Sequence, residues 1–295
     1  MSCGIPAPGA VAELVRLPAV LSVPGDVLLG AAASGQARDV PRSAGLVAAS
    51  SCLYLAGMAL NDYADRAVDS VERPARPIPS GRVSPGFALG LAGGMTVAGL
   101  LLATAADGPR ALKVVGPLTA AVWGYDLALK ATAAATPSMS ACRGLDVIVG
   151  AGAHGAASAL PVATVVAAHT AVVTEISACE VEGGAPARAV AGLAATAALT
   201  AASAALSLRA SRSLPRRAAA LGLLGAYAAA VGGAQAGAVR DPSPAGIQRA
   251  VSAGVLGLIL LEAGLLAGTG SPAPAAGLAT LWPLARRLAR RRNVS

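Results

Sequence analysis

A chain of 295 residues with 55% hydrophobic residues, 13% charged residues and a mean hydropathy of +0.64 is not a water-soluble globule, which carries about twice that charge. Nor is it a disordered chain, which needs low hydrophobicity. The formal charge of +8 is scattered between apolar runs and only 2% of residues are aromatic, which argues against a nucleic-acid binder with its basic stripe and stacking platforms.

What is left is a polytopic membrane protein of Ala- and Gly-rich helices, whose small residues let backbones approach closely in lipid. A spanning helix needs roughly 20 mostly apolar residues. In chain order the candidate spans are 10–34, 43–61, 86–106, 111–129, 140–160, 161–179, 188–208, 217–236 and 247–268. They predict an all-α bundle of about nine transmembrane helices, with 1–295 forming a single domain. Pro and Gly clusters, among them 74–79, 85–86 and 242–244, punctuate the spans. No Lys or Arg precedes Arg16, so the first apolar segment reads as retained. Segment 273–285 is short for a span, and with Arg286 and Arg287 behind it reads as an interfacial helix followed by a basic tail over 286–295. Basic residues lie in loops on both sides, so charge bias assigns no orientation.

Cys3, Cys52, Cys142 and Cys179 show no CxxC pair and read as free thiols; His154 and His169 form no HExxH, and His154 reads as a packing residue. The acids are more telling. Nine of the 15 fall in three places at or near the ends of apolar helices: Asp62, Asp65, Asp69 and Glu72; Asp126 and Asp146; Glu175, Glu180 and Glu182. An acid inside a span costs about 2.5–3.5 kcal/mol on insertion scales, so clustering needs a reason.

Asn61-Asp62-Tyr63-Ala64-Asp65-Arg66-Ala67-Val68-Asp69 puts Asp62, Asp65 and Asp69 on one helical face, because steps of three and four residues return to the same side. Carboxylates that close call for a cation, and hard, oxygen-seeking Mg²⁺ suits them. The next segment, Glu72-Arg73-Pro74-Ala75-Arg76-Pro77-Ile78-Pro79-Ser80-Gly81-Arg82, is stiffened by three prolines and offers Arg73, Arg76 and Arg82 to anionic oxygen. An acidic stripe followed by an arginine loop suits a metal–diphosphate complex.

That sequence resembles the first signature of the UbiA superfamily of intramembrane prenyltransferases. Gly124-Tyr125-Asp126-Leu127-Ala128-Leu129-Lys130 resembles the family's Tyr/Lys segment after the fourth helix. Cys142-Arg143-Gly144-Leu145-Asp146 resembles its Arg-Gly-x-Asn segment, with Asp146 in place of Asn. Many relatives carry Asp-x-x-x-Asp after helix six; here Glu175 to Gly184 instead resembles a branch associated with Ebo-type gene clusters, without its Arg.

The resemblance, covering roughly residues 10–270, implies a UbiA-type bundle around a central cavity and a Mg²⁺-dependent prenyltransferase that moves an isoprenoid group from a prenyl diphosphate to a small acceptor, in the bilayer and on its cytoplasmic side. It implies metal ligation by Asp62, Asp65, Asp69 and Glu180, and catalytic roles for Asp62, Asp65, Lys130, Arg143, Asp146 and Glu180. Asn61, Arg73, Arg76, Arg82, Tyr125, Asp126 and Glu182 would contact substrate. Arg143 and Asp146, one helical turn apart, are expected to pair. Two alternatives stand beside this reading. A terpene cyclase of the same fold would use the donor's own double bond, though one Phe, two Trp and four Tyr give few π faces to guide a cation. A transporter would carry ions on mid-span acids, whereas these acids cluster at helix ends.

Overall fold

The computed structural model describes residues 6–180, 183 and 186–292, which form helices joined by short turns. In chain order the helices are α1 (Pro8–Leu14), α2 (Val23–Ala33), α3 (Val40–Glu72), α4 (Pro85–Asp107), α5 (Leu112–Gly124), α6 (Ala135–Ser177), α7 (Pro186–Ala210), α8 (Leu214–Tyr227), α9 (Gly233–Arg240), α10 (Pro244–Gly268) and α11 (Pro272–Arg292). A 3₁₀ turn, Leu17–Ser22, leads into α2. One-turn π segments extend α5 over Tyr125–Leu129 and join α8 to α9 over Ala228–Gly232.

Local chemistry explains several starts. Asp39, Ser84 and Ser243 cap α3, α4 and α10 by accepting from the backbone N–H of Arg42, Phe87 and Gly246, and a proline follows each cap within the first turn. Such a cap contributes about 1 kcal/mol, and proline there forfeits no hydrogen bond.

Six helices among the described residues are long and apolar enough to cross a membrane: Val40–Glu72, Pro85–Asp107, Ala135–Ser177, Pro186–Ala210, Leu214–Arg240 and Pro244–Gly268. The chain is a multi-pass membrane protein, but the nine expected spans do not map one to one. At 11 residues α2 is too short to span alone. Spans 140–160 and 161–179 share α6, whose break lies at Gly152 rather than before Pro161. Gly152 adopts φ 70, ψ 170, a conformation open essentially to glycine alone. There α6 bends back, so that Thr136 near its start donates to Glu175 near its end.

The reversal is held by ions. Arg42 pairs with Asp107 and donates to the Gly150 carbonyl at 3.0 Å, tying α3 and α4 to the bend in α6. α2 lies directly on the first half of α6: a Cβ on Gly30 would overlap the Val147 carbonyl, and one on Gly150 would overlap that of Val27. Helix α10 is the hub, with Leu258 to Leu266 packed among α2, α6, α8 and α11.

The last helix differs from the expected interfacial segment. α11 continues to Arg292, buries Ala275, Leu278 and Ala285 in the core, and brings Trp282 and Arg286 alongside Leu256 and Arg249 of α10. It therefore runs back antiparallel along α10.

Candidate active site

The acidic stripe ends α3 among basic partners. Asp62 is buried; Arg16 donates to its Oδ1 at 3.1 Å, and Arg76 Nη1 lies 3.6 Å from the same oxygen. The Arg76 guanidinium also meets Asp69 Oδ2 at 2.6 Å, so the proline-stiffened loop folds back onto the helix it follows. Lys130 Nζ pairs with Asp65 Oδ1 at 2.6 Å. Asn61 accepts from Arg16 and donates through Nδ2 to Asp126 Oδ1 at 3.2 Å, linking the stripe to the π segment after α5. That segment is locally widened: the Lys130 N–H reaches the Tyr125 carbonyl five residues back, turning Asp126 and Lys130 toward the stripe. Single-turn π segments are frequent at functional sites for this reason.

Behind these groups lies a cavity of about 240 Å³. Leu53, Met58, Leu118, Val122 and Met139 give it apolar walls, Arg16, Asn61, Tyr125 and Asp126 line its mouth, and Tyr54, Arg143 and Asp146 line its inner end. The structure does not make Arg143 and Asp146 each other's main partner. Arg143 Nη2 lies 3.0 Å from Asp26 Oδ2 on α2, and Ser50 on α3 donates to Asp146 at 2.5 and 2.7 Å from its two oxygens. A one-turn spacing permits a pair, but better-placed partners on neighbouring helices win.

The remaining expected residues fall elsewhere. Arg82 forms a fork with Glu13, at 2.6 and 2.9 Å, and that hydrogen bond holds its guanidinium above its ordinary value. Arg73 is exposed in the loop. Glu180 lines a second, half-open cavity of about 830 Å³ between α9, α10 and α11, beside Arg249, Trp282 and Arg286, and makes no described contact with the acidic stripe. Burial pushes its carboxyl above the usual range, partly offset by the charge of Arg73. Glu182 lies outside the described residues. His169 is a packing residue held by Tyr227 and the Gly254 carbonyl, and His154 sits 3.5 Å from Arg110.

Sequence reasoning missed three members of this site: Arg16, Ser50 and Asp26. Arg16 falls at a chain reversal with no periodicity to mark it, and Ser50 is one small polar residue within an apolar helix. The signal for Asp26 was available, as an acid inside the first apolar run. Behind Asp26 lies Glu262, a single acid within the apolar α10, whose carboxyl packs against Gly25 of α2 beside Asp26.

Asn61, Asp62, Asp65 and Asp126 offer only oxygen donors near one another, the kind of donor that suits a hard cation such as Mg²⁺. Each stripe carboxylate is paired with Arg or Lys, and among the described residues no three His, Cys, Asp or Glu side chains gather as a metal-holding group. The residues fit the ion in kind, with basic side chains in the positions between them.

The model of the UbiA prenyltransferase family matches residues 26–181, from the buried aspartate of α2 through both helices that carry the motifs. The chain belongs to the UbiA prenyltransferase family. Its similarity to a digeranylgeranylglyceryl phosphate synthase of Ignicoccus hospitalis is 42% identity over 113 residues, covering 38% of this chain and 33% of that protein. A protein of the same name from Methanothrix thermoacetophila is 55% identical over 47 residues, 16% of this chain and 18% of that one. The chain thus aligns with a third or less of the length of these curated relatives. Over longer stretches the UbiA fold is shared: a solved UbiA homologue from Aeropyrum pernix K1 superposes with a TM-score of 0.68 at 19% identity, covering 84% of this chain and 96% of that one. A solved digeranylgeranylglyceryl phosphate synthase gives 0.63 at 14% identity, covering 88% and 98%.

Proposed function

We propose that this protein transfers an isoprenoid group from a prenyl diphosphate to a small acceptor and releases diphosphate. The observation that carries the reading is the junction of a charged mouth with an apolar cavity: Asp62, Asp65 and Asp126 with Arg16, Arg76 and Lys130 on one side, Leu53, Leu118 and Val122 on the other. A diphosphate head and an isoprenoid tail have that same polarity. The name of the curated relatives, digeranylgeranylglyceryl phosphate synthase, supports an isoprenoid donor.

Arg16, Arg76 and Lys130 would bind the diphosphate oxygens and stabilise the charge that grows on them as the allylic C–O bond breaks. Mg²⁺ held by Asp62, Asp65 and Asp69 would neutralise the diphosphate and so make it a better leaving group. The apolar walls exclude water from the cation-like carbon, which the acceptor captures. The acceptor's proton would pass to Asp146, whose two oxygens Ser50 holds toward the cavity's inner end. We place the charged mouth on the cytoplasmic side, where prenyl diphosphates are soluble.

The test is turnover of a radiolabelled prenyl diphosphate by purified protein in lipid nanodiscs. Transfer requires an acceptor and Mg²⁺, and Asp62→Ala abolishes it. Terpene hydrocarbon or alcohol formed from the donor alone would replace this reading with a cyclase; ion flux in liposomes without any diphosphate chemistry would replace it with a transporter.

A further inference from the structure

The second cavity, of about 830 Å³, opens on the outer face of the bundle. Its floor is the side of α10 that turns away from the core: Gln248, Arg249 and Ser252 are exposed, while Ile247, Ala250 and Gly254 on the other side are buried. Its walls are α9 with the preceding π segment on one side and α11 on the other. Its level in the membrane follows from α6. The Thr136–Glu175 hydrogen bond brings the two ends of α6 together, so Glu180, just past the second end, lies on the same side as the charged mouth. From that surface the groove changes character inward. Arg249 gives way to Ala253 and Leu256 along α10, and Arg286 gives way to Trp282 along α11. A charged outer end, an apolar inner one and a Trp between them have the polarity of a lipid standing in one leaflet.

Charge decides which lipid. Glu180, Arg249 and Arg286 share the outer end of the groove. Arg249 meets Asp241 at 2.7 Å but keeps most of its side chain exposed. Arg286 stacks on the Trp282 ring. Among the described residues, Arg286 has no acid and Glu180 no base within ion-pair distance, so the two line one groove without pairing. A purely anionic headgroup would meet the Glu180 carboxylate, and a purely cationic one would meet two guanidiniums. A headgroup that carries both a phosphate and an ammonium matches both signs, because guanidinium suits phosphate oxygens and an ammonium donates to a carboxylate. Trp282, the one aromatic ring lining the groove among the described residues, already holds Arg286 on a face, which leaves no aromatic cage for a quaternary ammonium. The fitting ammonium is therefore one with hydrogens to donate.

We propose that this groove binds a zwitterionic phospholipid with a primary-amine headgroup. Its phosphate lies on Arg286 and Arg249, its ammonium on Glu180, and its chains run inward along Leu256 and Trp282. The lipid fastens the basic end of α11 to α9 and α10. The site is separate from the acidic stripe and stands independently of the prenyl-transfer reading.

The experiment uses the full chain, delipidated in dodecyl maltoside, with phosphatidylethanolamine, phosphatidylcholine and phosphatidylglycerol that share dioleoyl chains. Bound lipid is counted by native mass spectrometry. Phosphatidylethanolamine is expected to bind about fivefold more tightly than either of the others, which is what one half-shielded ion pair contributes. Equal binding of all three, or tighter binding of phosphatidylglycerol, overturns the proposal. Arg286→Gln is expected to weaken phosphatidylethanolamine and phosphatidylglycerol alike. Glu180→Gln is expected to reverse the ranking in favour of phosphatidylglycerol, because it leaves the guanidiniums without the acid. A merely structural Glu180 would lower all three together and keep their order, which overturns its role as the ammonium partner. Soluble glycerophosphoethanolamine carries the same headgroup without chains and is expected not to compete; competition at the concentration of the lipid would overturn the lipid assignment. If a variant fails to fold, the wild-type ranking of the three lipids decides.

Discussion

Arg16 reaches Asp62 across the cavity mouth, its Nη2 donating to Oδ1 at 3.1 Å from a backbone that is itself left-handed, with φ 46 and ψ 49. A non-glycine residue in that region costs on the order of 1 kcal/mol, so the turn between α1 and the 3₁₀ segment is strained in a way that aims a guanidinium at the acidic stripe. Arg16→Gly separates the two effects. It relieves the strain and removes the cation, so the melting temperature should hold or rise while turnover falls at least tenfold. A variant with full activity would remove Arg16 from the site.

Asp62→Ala and Asp65→Ala should each abolish turnover while the protein still inserts and purifies, because these side chains face the cavity mouth and the partner cations, not the core. Chelation of Mg²⁺ should mimic them. Wild-type turnover that persists in excess chelator would sink the metal assignment.

Arg76 bridges two carboxylates from the loop, at 2.6 Å to Asp69 and 3.6 Å to Asp62. Arg76→Lys keeps the charge but cannot reach both acids with a planar fork. A loss of activity nearly as large as in Arg76→Ala is expected; near-complete rescue by Lys would mean that the loop needs only a positive charge.

Glu180 should matter less than the stripe, since it lines the other cavity. Burial raises its carboxyl above the ordinary value, so the folded chain holds this proton more readily than the unfolded chain does. Its contribution is fully present below the ordinary glutamate range and is lost as pH rises through the raised value. Glu180→Gln should therefore melt at the same or a higher temperature than wild type at pH 7, and the difference should shrink on acidification. Turnover falling as far as in Asp62→Ala would instead tie Glu180 to the diphosphate site.

Gly152→Ala tests the bend in α6. Besides the forbidden backbone angles, a Cβ there would stand 2.5 Å from Arg42 Nη2 and 2.9 Å from Asp107 Oδ2. Destabilisation of about 1–3 kcal/mol is expected, read as a lowered melting temperature. An unchanged melt would show that the bend tolerates a side chain.

The helical stripe of Asp62, Asp65 and Asp69 was legible because its information is local: a three- and four-residue spacing at the end of an apolar run. The bend in α6 was misplaced because Pro161 marks a boundary in most sequences, while here the helix continues through it and the reversal uses Gly152. A helix over 273–285 was legible, but not its continuation through the arginines to Arg292, because a run of like charges gives no periodic signal; Arg286 lies 4.6 Å over the Trp282 ring. Asp26 and Glu262 defeated pattern reading altogether. Each is one acid in an apolar segment, and nothing short of the tertiary contacts says that they meet.

That meeting has a consequence for how the chain is made. Asp26 emerges from the ribosome in α2, Arg143 follows only after three further helices, and Glu262 arrives near the end of synthesis. Until then α2 carries an uncompensated acid into lipid, at about 2.5–3.5 kcal/mol, on a segment too short to span alone. Helix α2, although early in the chain, thus reaches its final surroundings only once α6 and α10 give it a place to lie.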